Sequence, residues 1–396
     1  MTILSLTLLA VCLLPLGYLY LQALAAVRPA PPPALDRDPS HRFVIAIPAH
    51  DEAGVIEATV RKLLALDYPQ RLFSVHIVAD HCSDETALLA RSAGAVVHER
   101  GEGPRTGKGA ALSWLLERVL DESCDAVVVF DADTQVDAQF LRVMDARLAG
   151  GDQVVQGRHV ISNPEDGWYP ALMWAMFMVD NRFQNLGRVN LGCSAKLMGD
   201  SVCFRADVLR RMGWGAGLTE DFQLRQRLLL EGVRIGYEPA AVGCGEAALT
   251  WAQAQAQRKR WLRGTHDSSQ QFARQLLVES LRRRDAALVD GALQAYLPSY
   301  STLTVICGAA ALTQALINWV AGPVFHSAAV GGWGAMLGTL FVYPLIGLAL
   351  ERAPLRAYGV MLSGPFFILW RTWLALVARV GGRPVIWIRT AHGGRR

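Results

Sequence analysis

Residues 2–26 ("TILSLTLLAVCLLPLGYLYLQALAA") contain no Asp, Glu, Lys or Arg. Twenty-five such positions are enough for a helix to cross a hydrocarbon core of roughly 30 Å. Towards the other end, residues 291–350 run for 60 positions without a charged residue. Their only interruption is the turn-prone "AGPVFHSAAVGG" at residues 321–332, which predicts two crossings joined by a short turn. A chain built this way is anchored on both sides, so any chemistry done in water belongs to what lies between.

The first segment differs from a cleaved secretory signal. It has no charged leader, its apolar run is long, and Pro15 stands in mid-run rather than before a small-residue cleavage site. It reads as a retained anchor. Arg28, Arg37 and Arg42 follow it, and the positive-inside bias then places the next domain in the cytoplasm, with the chain integral to the cell (inner) membrane. A last apolar stretch, residues 358–380, is broken by Gly364-Pro365 and carries Arg371. A clean crossing there would put Arg379, Arg383, Arg389, Arg395 and Arg396 on the wrong side, so the expectation is a broken or interfacial helix with a basic cytoplasmic tail.

Seven cysteines without metal-ligand spacing predict buried thiols in a reducing compartment. The net charge of +4 gathers around residues 258–263, 282–284 and the tail. Beside predicted membrane segments, that pattern suits a membrane surface or a phosphate ligand, not nucleic acid.

Between the ends, a Pro-rich spacer ("APPPALDRDPSH", residues 30–41) gives way to short apolar runs alternating with helical patterns. "RFVIAIP", "FSVHIVAD", "AVVHER" and "DAVVVFDAD" read as strands, with "GVIEATVRKLLAL", "DETALLARSA" and "GKGAALSWLLERVL" as the helices between them. Such βαβ alternation predicts a mostly parallel sheet with helices on both faces, and ligands bind at the carboxyl ends of its strands. Polar residues fall at those ends: His50, Asp51 and Glu52 after the first strand, Asp80 to Asp84 after the second, and Asp131-Ala132-Asp133 after "VVVF". Any one of them would serve as a helix cap or turn residue. Three such clusters on one edge point to a site.

Asp131-x-Asp133 can offer carboxylate oxygens to a hard divalent cation that takes its other ligands from water and phosphate. Lys108 in "GPRTGKGAAL" can bring an ammonium to a phosphate, although its spacing is not that of a phosphate-binding-loop NTPase. Glu220 and Asp221 in "LTEDFQLRQRL" suit a helix start by their charge alone.

Taken together, Asp80, Asp131-Ala132-Asp133, Thr219-Glu220-Asp221 and Gln257-Arg258-Lys259-Arg260-Trp261 stand in the order of the motifs of membrane-integrated family 2 glycosyltransferases. The chain resembles their processive branch, which includes cellulose, hyaluronan and poly-N-acetylglucosamine synthases, over residues 43–264. The resemblance implies a GT-A-like (Rossmann-like) α/β domain that binds a UDP-sugar. His50, Glu52 and Asp80 would hold the uridine, and Asp131 and Asp133 the diphosphate through Mg²⁺ or Mn²⁺. Asp221 would be the base of an inverting hexosyl transfer to a growing polysaccharide, with Glu220 orienting. Gln257 and Arg260 would meet the diphosphate or the acceptor. Trp261 offers a face for a sugar ring, or else anchors the chain at the membrane interface. The segment at residues 190–209 resembles the approach to the acceptor site and reads equally as a packed loop and strand.

Two departures bear on this. His81 stands where many members have a second acidic residue, and there is no Phe-x-Val-Thr-x-Lys gating segment of the cellulose synthase kind. The expected organisation is an anchor helix (1–27), a linker (28–41), a cytoplasmic catalytic domain (42–264), amphipathic interfacial helices (265–296), two transmembrane helices (297–351) and the broken helix with its tail (352–396). About three spans give little perimeter for a polymer pore, so either secretion would need a homo-oligomer or an export partner, or the product is not secreted by this chain. The alternatives are transfer of a single sugar to a lipid-linked acceptor, or a non-catalytic subunit that binds nucleotide sugar.

Overall fold

A computed structural model of the chain describes residues 1–120, 123–215, 217 and 219–380. It opens with helix α1 (Thr2–Ala25), which Pro15 does not break, and an extended linker. Then come β1 (Phe43–Ala49), α2 (Ile56–Leu64), β2 (Phe73–Asp80), α3 (Thr86–Ser92), β3 (Val96–Arg100), α4 (Lys108–Val119) and β4 (Ala126–Val129). These are the strands and helices that the alternation predicts. Beyond them lie β5 (Gln135–Val136), α5 (Phe140–Ala149), β6 (Val154–Ile161), α6 (Trp168–Asp180), a π-helical stretch (Asn181–Gly187) running into α7 (Arg188–Asn190), β7 (Val202–Arg205), α8 (Ala206–Met212), α9 (Glu220–Leu230) and β8 (Ile235–Gly245).

The eight strands form one sheet in the order β3-β2-β1-β4-β7-β6-β8-β5. Pairings from β3 through β4, and between β6 and β8, are parallel; β7 runs antiparallel to both of its neighbours, and β5 to β8. The fold is thus GT-A-like, with a mostly parallel sheet. Strand β1 is apolar almost throughout because both of its faces are covered. Its period of two sorts the residues: Phe43, Ile45 and Ile47 join Ile56, Val60 and Leu63 of α2 on one face. Val44 and Ala46 join Leu112 and Leu115 of α4 and Leu224 of α9 on the other. Of the cysteines, Cys124, Cys203 and Cys307 are buried as expected, but Cys12, Cys82, Cys193 and Cys244 are only half-buried, being at element ends or on the membrane helices; all seven are free thiols.

Helix α10 (Trp251–Arg283) begins at a capping box, in which Thr250 and Gln253 exchange hydrogen bonds, and runs 33 residues, or about 50 Å. It carries the "QRKRW" stretch and continues through residue 264, where a boundary between catalytic domain and interfacial helices is expected from sequence. Then follow α11 (Ala286–Tyr296), α12 (Tyr300–Ala321), α13 (Ser327–Leu350), α14 (Leu355–Val360) and, after a 3₁₀ turn at Met361–Ser363, α15 (Gly364–Val380). Gly364-Pro365 therefore opens α15, a position where proline's missing N–H costs nothing. Among the described residues, four helical stretches are long and apolar enough to cross a membrane: Thr2–Ala25, Tyr300–Ala321, Ser327–Leu350 and Leu355–Val377. The basic tail expected around Arg383, Arg389, Arg395 and Arg396 lies outside the described residues.

The membrane-type helices share one apolar cluster with α6, in which Leu19, Leu172, Leu303, Leu340 and Phe367 meet. A polar tie fastens this layer to the sheet domain. Tyr18 Oη of α1 donates to Asp290 Oδ1 of α11 at 2.6 Å, and Asp290 also faces Arg188 of α7 and Arg225 of α9, each at 3.2 Å.

Candidate active site

At the carboxyl ends of β1, β2 and β4, a small cavity is lined by His50, Glu52, Asp80, Lys108, Asp131, Asp133, Gln257 and Arg260. Eight of the residues singled out from sequence thus meet in one place. His50 Nδ1 lies 2.7 Å from the Asp80 carbonyl oxygen, and the Glu52 backbone N–H donates to Thr86 Oγ1 at 2.7 Å. Asp80 is buried, and its Oδ1 accepts from Arg100 Nη1 at 2.5 Å with His81 Nδ1 at 2.9 Å. The histidine that replaces a second acidic residue therefore braces the first one.

The Asp131-Ala132-Asp133 turn is held from three sides. Thr134 N–H closes it on the Asp131 carbonyl at 3.1 Å, Thr59 Oγ1 donates to the Ala132 carbonyl at 2.8 Å, and Asp131 N–H donates to Asp200 Oδ1 at 3.2 Å. Asp200 is buried just before β7. It also accepts from Thr134 Oγ1 at 3.0 Å and sits 2.8 Å from His159 Nδ1 of β6. Burial works against charge on both, but their mutual contact outweighs it. The imidazole is held above its ordinary range and the carboxyl below it, which favours the charged form of each beneath the turn. Neither residue was found from sequence, because a lone aspartate in "LMGDSV" and a lone histidine in "GRHVI" gain meaning only when β6 and β7 pair. Arg105 and Glu246, which also line the cavity, carry no motif either.

Lys108 Nζ bridges the Asp131 carboxylate and the Gly199 carbonyl. Burial disfavours its charge, yet Asp131, Asp200 and Glu220 overcome that and hold its pKa above the ordinary lysine range. On Gly199 lies Asp221: an added Cβ there would stand 3.4 Å from Asp221 Oδ2. Lys108 and Gly199 thus connect the Asp131 turn to Asp221, residues nearly a hundred positions apart.

Asp221 Oδ1 accepts from the Phe222 N–H at 2.7 Å at the start of α9. Burial raises its pKa, against the opposing pull of that N–H, Lys108 and Arg260. Glu220 is pushed up to about 7, by burial first and then by the neighbouring Asp221. Asp221 and Trp261 line a second, much larger cavity of about 1870 Å³, whose remaining walls include α1, α6, α12, α13 and α15. Glu220 packs behind, against α4, where an added Cβ on Gly109 would come within 3.0 Å of its Cγ. Arg258 stacks over the Trp261 ring at 4.9 Å.

Sheet order, acidic strand ends and membrane-type helices together define a nucleotide-sugar transferase fold, and the comparisons agree. Residues 126–380 match Glycosyl transferase family group 2, and residues 44–203 match Glycosyl transferase family 2. The first match takes in well over half the chain, and the protein belongs to that family: it is a family 2 glycosyltransferase. It is 26% identical over 400 residues to the beta-monoglucosyldiacylglycerol synthase of Synechocystis sp., a match covering 95% of this chain and 82% of that protein. It is also 26% identical over 253 residues to the poly-beta-1,6-N-acetyl-D-glucosamine synthase of Staphylococcus aureus, with 59% of this chain and 57% of that one covered. A mannosyltransferase from Pyrobaculum calidifontis, solved in complex with GDP-Man and Mn²⁺, shares the fold. Its TM-score is 0.55 at 18% identity, and the match covers 88% of this chain and 96% of that one.

Proposed function

We propose that the chain transfers a sugar, with inversion, from a UDP-sugar to a hydroxyl of a lipid acceptor that enters the large cavity from the membrane. The observation that carries this is the position of Asp221. Its carboxyl lines a cavity of about 1870 Å³ walled by apolar, membrane-type helices, and it is joined through Gly199 and Lys108 to the Asp131 turn. A hydroxyl beside Asp221 gives its proton to the carboxylate as its oxygen bonds to the sugar C1, and the bond from C1 to the diphosphate breaks. Lys108 and Arg260 face the departing negative charge. His50, Glu52 and Asp80 line the same small cavity and would take the nucleoside.

The Asp131 turn fits a divalent cation: Asp131 is half-exposed, Asp133 lines the same cavity, and carboxylate oxygens suit Mg²⁺ or Mn²⁺. When bound, the ion supplies positive charge to the diphosphate. In this reading α1 anchors the enzyme, residues 42–264 form the cytoplasmic catalytic unit, and residues 265–380 complete the acceptor side with interfacial and membrane helices.

A second reading, processive synthesis of a polysaccharide, is favoured by Trp261. This residue of the "QRKRW" stretch faces the large cavity, where a sugar ring would stack. Similarity to the S. aureus synthase points the same way.

The test is purified full-length protein in nanodiscs with a panel of UDP-sugars, lipid acceptors and Mn²⁺. Asp221→Asn is expected to lower transfer by about 10²- to 10⁴-fold while UDP still binds. Unchanged transfer would remove Asp221 as the base. One added sugar on lipid supports the first reading, and a ladder of long saccharides supports the second.

A further inference from the structure

The large cavity carries more positive charge than its apolar walls require. Arg188, Lys196, Arg225, Arg258, Arg263 and Arg371 line it. Against these stand the lining carboxylates Asp180, Asp221 and Asp267, and Asp290, which lies behind Arg188 and Arg225. Two positive charges remain. Arg188 and Arg225 are buried and the others half-buried; cations drawn out of water without matching anions are costly, and a site that keeps them is built for an anion.

The local geometry shows where the excess lies. Arg225 is fully engaged: Nε donates to the Ala195 carbonyl at 2.9 Å, Nη1 to Gln294 Oε1 at 2.7 Å, and Nη2 to Ser194 O and Asp290, both at 3.2 Å. Arg188 is almost wholly buried at 1% exposure. Its Nη2 donates to Tyr18 Oη at 3.1 Å and its Nε faces Asp290 Oδ1 at 3.2 Å, but its Nη1 has no hydrogen-bond partner among the described residues. Lys196 reaches Asp180 at 3.2 Å, and that aspartate is itself half-exposed. Burial lowers the lysine pKa, Asp180 opposes this, and Arg188 and Arg371 press it further down. Arg371, in the middle of an apolar helix, donates among the described residues only to the Ser301 hydroxyl, at 2.9 Å. Arg188 shares Asp290 with Arg225, so Arg188, Arg225, Lys196 and Arg371 meet only two carboxylates, Asp290 and Asp180.

Resting on the lipid-acceptor reading, we infer that the acceptor is an anionic lipid whose headgroup carries both a phosphate and the reacting hydroxyl. Its phosphate is held by Lys196, Arg188 and Arg371 while the hydroxyl meets Asp221. The apolar walls take the acyl chains, and the cationic neck selects phospholipid over neutral diacylglycerol. In the step itself the headgroup oxygen bonds to the sugar C1, its proton passes to Asp221, and the nucleoside diphosphate leaves. The phosphate is a handle and does not react.

Phosphatidylglycerol and diacylglycerol with identical acyl chains separate these cases, because both bear a hydroxyl and only the first bears a phosphate. Native mass spectrometry of the full-length chain in neutral detergent is expected to show phosphatidylglycerol retained at least tenfold better than diacylglycerol. Lys196→Gln and, separately, Arg371→Gln should each cut that preference at least fivefold while UDP binding, as a control for folding, stays intact. Equal retention of the two lipids, or an undiminished preference in folded Lys196→Gln, overturns the inference. Transfer assays separate it from the reading beneath it. Equal glycosylation of both lipids removes the charge selection alone, whereas elongation of a soluble saccharide with no lipid product removes the lipid acceptor as well.

Discussion

Asp221, the proposed base, lies half-buried beside a second carboxyl and two cations, Lys108 and Arg260, and that setting has a consequence for pH. Glu220 titrates near 7, raised by burial and by Asp221, and Asp221 is raised as well. The two titrate as a pair, so transfer is expected to rise along an acid limb that reaches neutral pH. Glu220→Gln removes a negative neighbour, which lowers the Asp221 pKa, and the limb should move to lower pH; a limb that stays in place would sever the two groups. Stability runs the other way. A carboxyl whose folded pKa is raised contributes fully below its ordinary range, and that contribution is lost as pH rises through about 7. The detergent-solubilised protein should thus melt at a higher temperature at pH 5.5 than at pH 8, by an amount equivalent to roughly 1–3 kcal/mol, and Glu220→Gln should flatten the difference. At this scale the motif residues were legible in the sequence, since Asp131, Asp133, Asp221 and Arg260 sit in short strings of fixed order. The Asp200–His159 pair was not, because its meaning comes from strands that meet only in the fold.

Among the elements, the decisive contact is the crossing of α10 over the start of α9. Gly264 lies there, and a Cβ on it would stand 2.5 Å from Thr219 Oγ1 and 2.7 Å from Thr219 Cγ2. Helix α10 also carries Gln257, Arg260 and Trp261, so this close approach sets their distance from Glu220 and Asp221. Gly264→Ala must push the two helices apart, at a cost of about 1–3 kcal/mol. It should lower kcat at least tenfold with little change in UDP binding. Thr219→Ala removes the two nearest atoms and leaves a Cβ 3.0 Å away, so the double variant should recover part of the loss. No recovery would show that the crossing is not what Gly264 provides. The alternating strands and helices up to β4 were readable because each is a short apolar run or an amphipathic pattern closed by turn residues, whatever its partner in the sheet. The antiparallel insertion of β7 between β4 and β6 was not, since nothing in "VCFR" indicates its partners or direction. Nor does Gly264 look like anything but a helix end when α10 is read as a string, and it stands in mid-helix.

For the whole molecule, the proposed reaction requires a water-soluble donor and a membrane-borne acceptor to reach the same carboxylate. The two cavities give each its own approach: the small one opens at the strand ends, and the large one lies between the sheet domain and the membrane-type helices, with Asp221 on its wall. Charge-free terminal segments in the sequence foretold the helices, but not that they would enclose a cavity, because that depends on how α12, α13 and α15 pack against α1 and α6. The two-cavity arrangement can be tested without touching the chemistry. Gly308 in mid-α12 and Gly338 in mid-α13 both line the large cavity, and an added Cβ at either meets nothing within 4 Å. Gly308→Leu and Gly338→Leu therefore start their side chains in open space that the acceptor would fill. Each is expected to reduce transfer to a long-chain lipid at least fivefold, mainly by raising its KM, while leaving slow hydrolysis of the UDP-sugar and transfer to a short-chain, water-soluble analogue unchanged. Loss of all three activities together would mean that the membrane half of the cavity supports the donor site instead of admitting an acceptor, and no loss at all would mean the acceptor arrives by another route.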